Sequence, residues 1–136
     1  MATEIKIKNI PTGYQSIITN GKHTLVGDEP LNVKGTDLGM SPTELVLAGI
    51  SMCKVATIRN VARRKNIEIG NVDAHLTQVA KKKSDGSFAT EVNSAIQIIG
   101  NITPEQKAML IKEADNCYVT RLVKGEWTIN DSTDLI

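Results

Sequence analysis

Two cysteines, Cys53 and Cys117, are the residues of this 136-residue chain best suited to covalent chemistry. A pair of thiols can act as a redox couple, in which one thiolate attacks a substrate and the other resolves the product as a disulfide. Free cysteine is also among the most buried residue types, so two inert core residues are the commoner interpretation of the pattern. Both interpretations stay open, because a separation in sequence does not determine the distance between two sulfur atoms.

Metal and nucleic-acid chemistry have little support in the sequence. His23 and His75 could join the cysteines in a four-ligand site, but there is no CxxC or HxxxH spacing, so we expect neither a metal nor another cofactor. Two basic runs, residues 63–65 and 81–83, are typical of a helix end and a hairpin tip. Because the net charge is +1 and aromatic residues make up 3%, we expect no nucleic-acid partner.

The hydropathy pattern predicts a cytoplasmic protein. The opening segment lacks the long apolar stretch of a signal peptide, and no run approaches the ~18 uninterrupted apolar residues of a membrane span, so we expect no membrane association. No linker, repeat or low-complexity tract divides the chain. Because its length is that of one typical domain, we predict a single domain over residues 1–136.

The first forty residues are predicted to form strands and a loop. Residues 5–8 alternate isoleucine and lysine, which is the period of a strand. Residues 14–19 and 22–26 flank the dipeptide Asn20-Gly21, a strong signal for a hairpin. The glycines and proline of residues 27–40 predict a loop.

A long helix is predicted over residues 41–66. Ser41, Pro42 and Glu44 match the N-cap, the first-turn proline and the capping box of a helix start. Eleven of the fourteen residues from 45 to 58 are apolar, so we expect the helix to be buried on most sides. One small sheet is not enough to cover it, and a second copy of the chain would complete its burial.

The second half of the chain is predicted to add a hairpin, a helix and a closing strand. Residues 71–80 and 87–99 read as strands around an Asp-Gly turn, and Thr103 begins a helix that runs to about Asp115. Residues 121–129 are predicted to form the last strand. The order βββ-α-ββ-α-β is an α+β fold with a buried central helix.

Two segments resemble the signatures of the OsmC/Ohr superfamily, the osmotically inducible protein C and organic hydroperoxide resistance proteins. The first, GTDLGMSPTELVLAGISMCKVATIRNVARRKNIEI, has the glycine-rich loop, the Pro-x-Glu-Leu helix start and a cysteine inside the helix. The second, ITPEQKAMLIKEADNCYVTRLVKGEWTI, has the Ile-Thr-Pro helix start and an Ala-Asp-x-Cys exit. The segments stand in the family order, and the predicted element order agrees with the family fold.

This resemblance implies a thiol-dependent redox protein that forms an intertwined homodimer. By the resemblance, Cys53 is the peroxidatic cysteine, which attacks an organic hydroperoxide and becomes a sulfenic acid. Cys117 is then the resolving cysteine, which condenses with the sulfenic acid to a disulfide, and an external thiol reductant restores the dithiol. The alternative is a non-catalytic ligand-binding or stress-response protein on the same fold.

The chain departs from the characterised hydroperoxide reductases at the groups that hold their reactive thiolate. Their glutamate corresponds to Thr43, with Glu44 one residue later, and their N-terminal arginine has no counterpart before Arg59. The resemblance is therefore closer to the general OsmC-like branch. Because burial raises the pKa of a thiol, a nearby cation is needed. Lys54, Arg59 and Arg121 are the candidates; we favour Arg121 and keep Glu44 as a second supporting residue.

Overall fold

The computed structural model describes residues 2–135. Contacts along the chain divide it into two compact units, Met1–Ala48 and Gly49–Ile136. Three strands come first, followed by a long helix, two more strands and two shorter helices. The predicted α+β class is therefore confirmed, and the predicted element order holds up to the last element.

The first unit contains a three-stranded antiparallel sheet. Its strands β1 (Lys6–Asn9), β2 (Ser16–Thr19) and β3 (Thr24–Gly27) lie in sequence order. Ile7 on β1 lies opposite Ile18 on β2, so apolar side chains face each other across the pair. The strands predicted from alternation are thus present.

The turn between β2 and β3 is the predicted Asn-Gly turn. The Asn20 side chain accepts hydrogen bonds from the backbone amides of Lys22 and His23 at 3.0 and 2.7 Å. Gly21 has a φ of +95°, which a residue without a Cβ adopts at little cost. Local chemistry is therefore sufficient to form this hairpin.

A buried carboxylate, Asp28, organises the loop that follows β3. It is 3% exposed and accepts hydrogen bonds from the backbone amides of Tyr14, Glu29, Thr36 and Leu38 at 2.8–3.2 Å. The hydroxyl of Thr36 donates a further hydrogen bond. This hydroxyl is the largest influence on the pKa of Asp28, and together with the amides it outweighs burial and holds that pKa far below its ordinary value.

Two glycines let backbone segments of this loop approach closely. A Cβ at Gly35 would lie 1.9 Å from the carbonyl oxygen of Glu29, and one at Gly39 would lie 2.2 Å from that of Val26. Any larger residue would therefore push the loop apart. The loop also contains a short 3-10 helix, Leu31–Val33.

The long helix α1 (Pro42–Arg64) begins in the first unit and continues into the second. Its start is the predicted capping box. The Ser41 amide donates to the Glu44 carboxylate at 2.9 Å, and the Glu44 amide donates to the Ser41 hydroxyl at 3.3 Å. Two arginines occupy its last turn, where cations suit the negative end of the helix dipole.

By length and composition alone, α1 is long and apolar enough to cross a membrane. The most apolar window of α1 has a mean hydropathy of 1.4. The core helix of a soluble protein has the same properties, and the middle of α1 carries Lys54, which is buried and ion-paired. Within one copy of the chain, 28% of this window is buried, so the burial on most sides that the sequence predicts for α1 is not reached there.

The second unit is built on a long antiparallel hairpin of β4 (Val72–Lys82) and β5 (Phe88–Ile98). Asp85 closes the turn by accepting a hydrogen bond from the Ser87 amide at 2.9 Å, and Gly86 follows with a φ of +88°. One face of the hairpin is partly buried. Its apolar members are Val72, Ala74, Leu76, Val92, Ile96 and Ile98.

Helix α2 (Pro104–Ala114) packs with α1 and the hairpin to form an aliphatic core. It starts with the predicted capping box, in which the Gln106 amide donates to the Thr103 hydroxyl at 3.0 Å. Burial of each large aliphatic side chain contributes about 1.5–3 kcal/mol, so this cluster is the main source of stability in the second unit. Its buried members are Ile58, Val61, Ala62, Ile98, Leu110 and Ala114.

The prediction of a strand over residues 121–129 is wrong. Tyr118–Lys124 instead forms a short helix, α3, and no strand is found in the described residues after it. Leu122 and Val123 are adjacent rather than alternating, and a strand needs a neighbour for its backbone groups, whereas a helix satisfies them internally. The Trp127 indole donates to the Leu122 carbonyl at 2.8 Å and so binds the following segment to the end of α3.

Candidate functional site

Cys53 lies in the second unit, in the middle of α1, and is partly buried. Its sulfur accepts a hydrogen bond from the backbone amide of Val119 on α3, with a nitrogen–sulfur distance of 3.3 Å. The hydroxyl of Thr57, one turn later, donates to the Cys53 carbonyl at 2.8 Å. The sulfur of Cys53 is thus directed toward the start of α3.

Cys117 lies between α2 and α3 and is 1% exposed. Its amide donates to the Ala114 carbonyl at 3.2 Å, and it is itself the N-cap of α3. The Cys117 sulfur and the Thr120 hydroxyl are 2.8 Å apart, within hydrogen-bonding distance. The exit of α2 therefore holds this thiol against the first turn of α3.

The fold brings the two cysteines close to each other, because the sulfur of each contacts the first turn of α3 and the thiol of Cys53 is one of the groups that lower the pKa of Cys117. Burial is the largest influence on the Cys117 thiol and raises its pKa. The hydrogen bonds from Thr120 and from Cys53, with the positive charge of Lys54, outweigh burial and lower that pKa below its ordinary value.

Lys54 provides the positive charge at this site. Its side chain is 8% exposed, and its ammonium group forms an ion pair with the Asp115 carboxylate at 3.2 Å. Asp115 is 68% exposed, so the partner lies in solvent while the cation lies inside. Buried lysines are uncommon unless paired, and this one directly follows Cys53 in sequence.

The side chains of the other predicted supporting residues contact groups other than the two sulfurs. Arg121 is exposed, and its guanidinium carbon lies 5.8 Å from the centre of the Tyr118 ring, a cation–π contact. Arg59 donates to the Ile69 carbonyl at 3.3 Å. Glu44 caps the start of α1, and the hydrogen bonds from the Ser41 backbone and side chain lower its pKa.

Three residues of the site were not predicted as such. Val119, Thr120 and Asp115 contact the cysteines or Lys54 and flank Cys117 within five residues. Asp115 belongs to the Ala-Asp-x-Cys exit of α2, so its closeness to Cys117 was visible in sequence. Its partner Lys54 is 61 residues away, and only the packing of α1 against α2 brings the two together.

A cleft of about 510 Å³ opens beside this cluster. Lys54, Asp115 and Thr120 line the cleft, and its other lining residues belong to α1, β5 and α3. The lining therefore combines a charged end near the cysteines with apolar side chains, namely Ile50, Val92 and Val123. Among the described residues, no group of three or more His, Cys, Asp or Glu side chains could hold a metal ion.

Comparisons with solved structures give the same fold. An OsmC-like protein from Mycoplasma pneumoniae has a TM-score of 0.78 and 19% identity, covering 92% of this chain and 89% of that one. An organic hydroperoxide resistance protein OsmC from Legionella pneumophila has a TM-score of 0.70 and 21% identity, covering 92% and 90%. The organic hydroperoxide resistance protein OhrB of Bacillus subtilis has a TM-score of 0.66 and 19% identity, covering 92% of each chain.

Comparison of the sequence with protein-family models identifies a family. A search of curated proteins finds no match to the chain. The sequence model of the OsmC-like protein family matches residues 35–130, a stretch that includes both cysteines and all three helices. The chain therefore belongs to the family of OsmC-like proteins.

Proposed function

We propose that this protein reduces organic hydroperoxides in a thiol-dependent cycle of Cys53 and Cys117. The observation that carries the proposal is the closeness of the two thiols, whose sulfurs both contact the first turn of α3, in a site that also contains a buried cation. Membership of the OsmC-like family supports it, as do two solved structures of the same fold whose proteins are named for organic hydroperoxide resistance.

The first step is attack on the peroxide by Cys53. Cys53 is the more exposed of the two residues, since it is partly buried while Cys117 is 1% exposed. The Cys117 thiolate takes the proton of the nearby Cys53 thiol. The Cys53 thiolate then attacks the outer peroxide oxygen. The S–O bond forms as the O–O bond breaks, and the alkoxide leaves with a proton from solvent as the alcohol.

The second step closes the disulfide. The Cys117 thiol gives up the proton that it received in the first step, and its sulfur attacks the sulfur of the Cys53 sulfenic acid. The S–O bond breaks as the S–S bond forms, and hydroxide leaves with that proton as water. The two cysteines have then lost two electrons to the peroxide. An external thiol reductant returns them by thiol–disulfide exchange, and the cycle needs no other cofactor.

The test is the reaction of reduced protein with cumene hydroperoxide, followed by thiol loss and by mass spectrometry of the disulfide. Wild-type protein is expected to form one intramolecular disulfide. Cys53→Ser should lose at least about a thousandfold in rate, because the remaining thiol, Cys117, is 1% exposed and out of reach of the peroxide. Cys117→Ser should stop at the sulfenic acid, which dimedone traps. If wild-type protein keeps both thiols under excess peroxide, the proposal is wrong.

A second candidate function is ligand binding without turnover. The cleft beside the cysteines favours it, because its lining joins charged and apolar groups as small-molecule sites do. In that case the thiols stay reduced under peroxide, while a bound hydroperoxide or alcohol still raises the melting temperature. The same samples therefore distinguish the two functions.

We further propose that the protein acts as a cytoplasmic homodimer. Gly49, Met52 and Ala56 lie at helical spacing along α1 and are exposed, Met52 by 73%. Such an apolar stripe, in which two of the three residues are small, suits close packing against the same helix of a second copy. The predicted all-round burial of α1 would then be completed by the partner.

Light scattering at micromolar concentration tests this assembly. Wild-type protein should have twice the mass of one chain. Met52→Glu places a charge on the stripe and should shift the mass toward the monomer, whereas the same change at an exposed α2 position, Lys107→Glu, should not. A wild-type species with the mass of a single chain would refute the dimer.

A further inference from the structure

We propose that Lys54 is a positioning residue for the cysteine pair, which supplies the cation that holds its thiolate, and that Asp115 is the counter-ion that moderates this charge. The inference rests on the proposed function for its chemical purpose, although the charge arrangement can be tested without peroxide. It assigns to a lysine within α1 the charge that the sequence had led us to expect from Arg121.

The geometry places Lys54 inside the site and its counter-ion outside. The Lys54 side chain is 8% exposed and follows Cys53 on α1, while Asp115 is 68% exposed and lies two residues before Cys117. Water screens the exposed carboxylate more than the buried ammonium. The positive charge of Lys54 is therefore only partly neutralised, and it lowers the pKa of the Cys117 thiol.

The remaining charged groups around the site are few. Lys54 from α1, Asp115 from the exit of α2 and Lys124 from α3 line the cleft. Tyr118 and Arg121, also on α3, are exposed and contact each other. From the hairpin, the described polar residues that line the cleft are neutral, namely Thr90, Asn93 and Ser94. Of these cations, Lys54 is the one that is buried.

Two substitutions with opposite expected effects test the proposal. Thiolate formation in the reduced protein is followed by ultraviolet absorbance as the pH is raised, which reports both cysteines whatever their exposure. Lys54→Met should raise the midpoint of the first transition by about one pH unit, because it removes the cation. Asp115→Asn should lower the midpoint by a smaller amount, because it frees the cation from its counter-ion. Lys54→Arg keeps the charge and should stay near the wild-type midpoint.

Controls separate this electrostatic role from a structural one. Lys107→Met removes an exposed lysine of α2 and should leave the midpoint unchanged. If the ion pair only stabilised the fold, Lys54→Met and Asp115→Asn would lower the melting temperature alike and would not shift the midpoint in opposite directions. Equal midpoints in wild type and Lys54→Met, or a shift only in Arg121→Ala, would overturn the proposal. Opposite shifts in a protein that does not consume peroxide would retain the charge assignment and refute only the proposed function.

Discussion

Among residues 2–135, each of the two compact units buries one charged side chain, Asp28 in the first and Lys54 in the second. The two charges are compensated in different ways. Asp28 accepts hydrogen bonds from four backbone amides and one hydroxyl. Lys54 has an ion pair with one carboxylate that is itself largely in solvent.

This difference in partners distinguishes a charge that stabilises the fold, Asp28, from a charge that we propose acts on a reactive group, Lys54. The donors around Asp28 are fixed by the loop backbone, so the carboxylate is fully engaged and its role is to hold the loop together. The ammonium of Lys54 is only partly neutralised, so it still acts on the neighbouring thiols. A buried charge with few partners beside a nucleophile is therefore the more informative sign of function.

The largest expected effect is on stability, and it falls on the first unit. Asp28→Ala should lower the melting temperature by about 10 °C or more, because it leaves several loop amides without an acceptor. Lys54→Met should change it by less than about 4 °C, because the freed carboxylate of Asp115 is already solvated. Thermal unfolding followed by circular dichroism measures both. An equal loss in the two variants would remove the distinction between the two charges.

The second prediction concerns the pH dependence of the Asp28 contribution. The pKa of Asp28 is lower in the folded than in the unfolded state, so its stabilisation is complete above the unfolded value of about 3.9 and is lost as the pH falls through the folded value. The gap in unfolding free energy between wild type and Asp28→Asn should therefore be constant near neutral pH. It should narrow below about pH 4. Urea unfolding at a series of pH values provides the measurement, and a gap that widens in acid would contradict the assignment.

The smallest expected effects on the free energy of unfolding come from the two capping boxes, one at the start of α1 and one at the start of α2. Thr103→Ala should cost about 1 kcal/mol, and Ser41→Ala about half as much, since its hydrogen bond is longer, 3.3 Å against 3.0 Å. Urea unfolding resolves both. The thiolate midpoint should not change in either variant. A shift of the thiolate midpoint in Ser41→Ala alone would show that the start of α1 influences the cysteines. The supporting role predicted for Glu44 requires such an influence.

Short-range chemistry explains what could be predicted. The Asn20-Gly21 and Asp85-Gly86 turns and both capping boxes depend on residues within a few positions of each other, and all are present. The strand predicted over residues 121–129 failed because a strand depends on a distant neighbour, whereas the α3 helix needs none. The pairing of segments that are distant in sequence is therefore not predicted by the local sequence pattern.

The sequence by itself determined the α+β class, the ends of α1 and α2, and the presence of two thiols in the setting of an OsmC-like chain. Only the tertiary structure decided that these thiols lie close together, that the buried Lys54 pairs with Asp115, and that Arg121 lies over the ring of Tyr118. The physical reason is distance along the chain. Capping and turns are settled within one helical turn, but Cys53 and Cys117 meet only once α1, α2 and the hairpin have packed their shared aliphatic core.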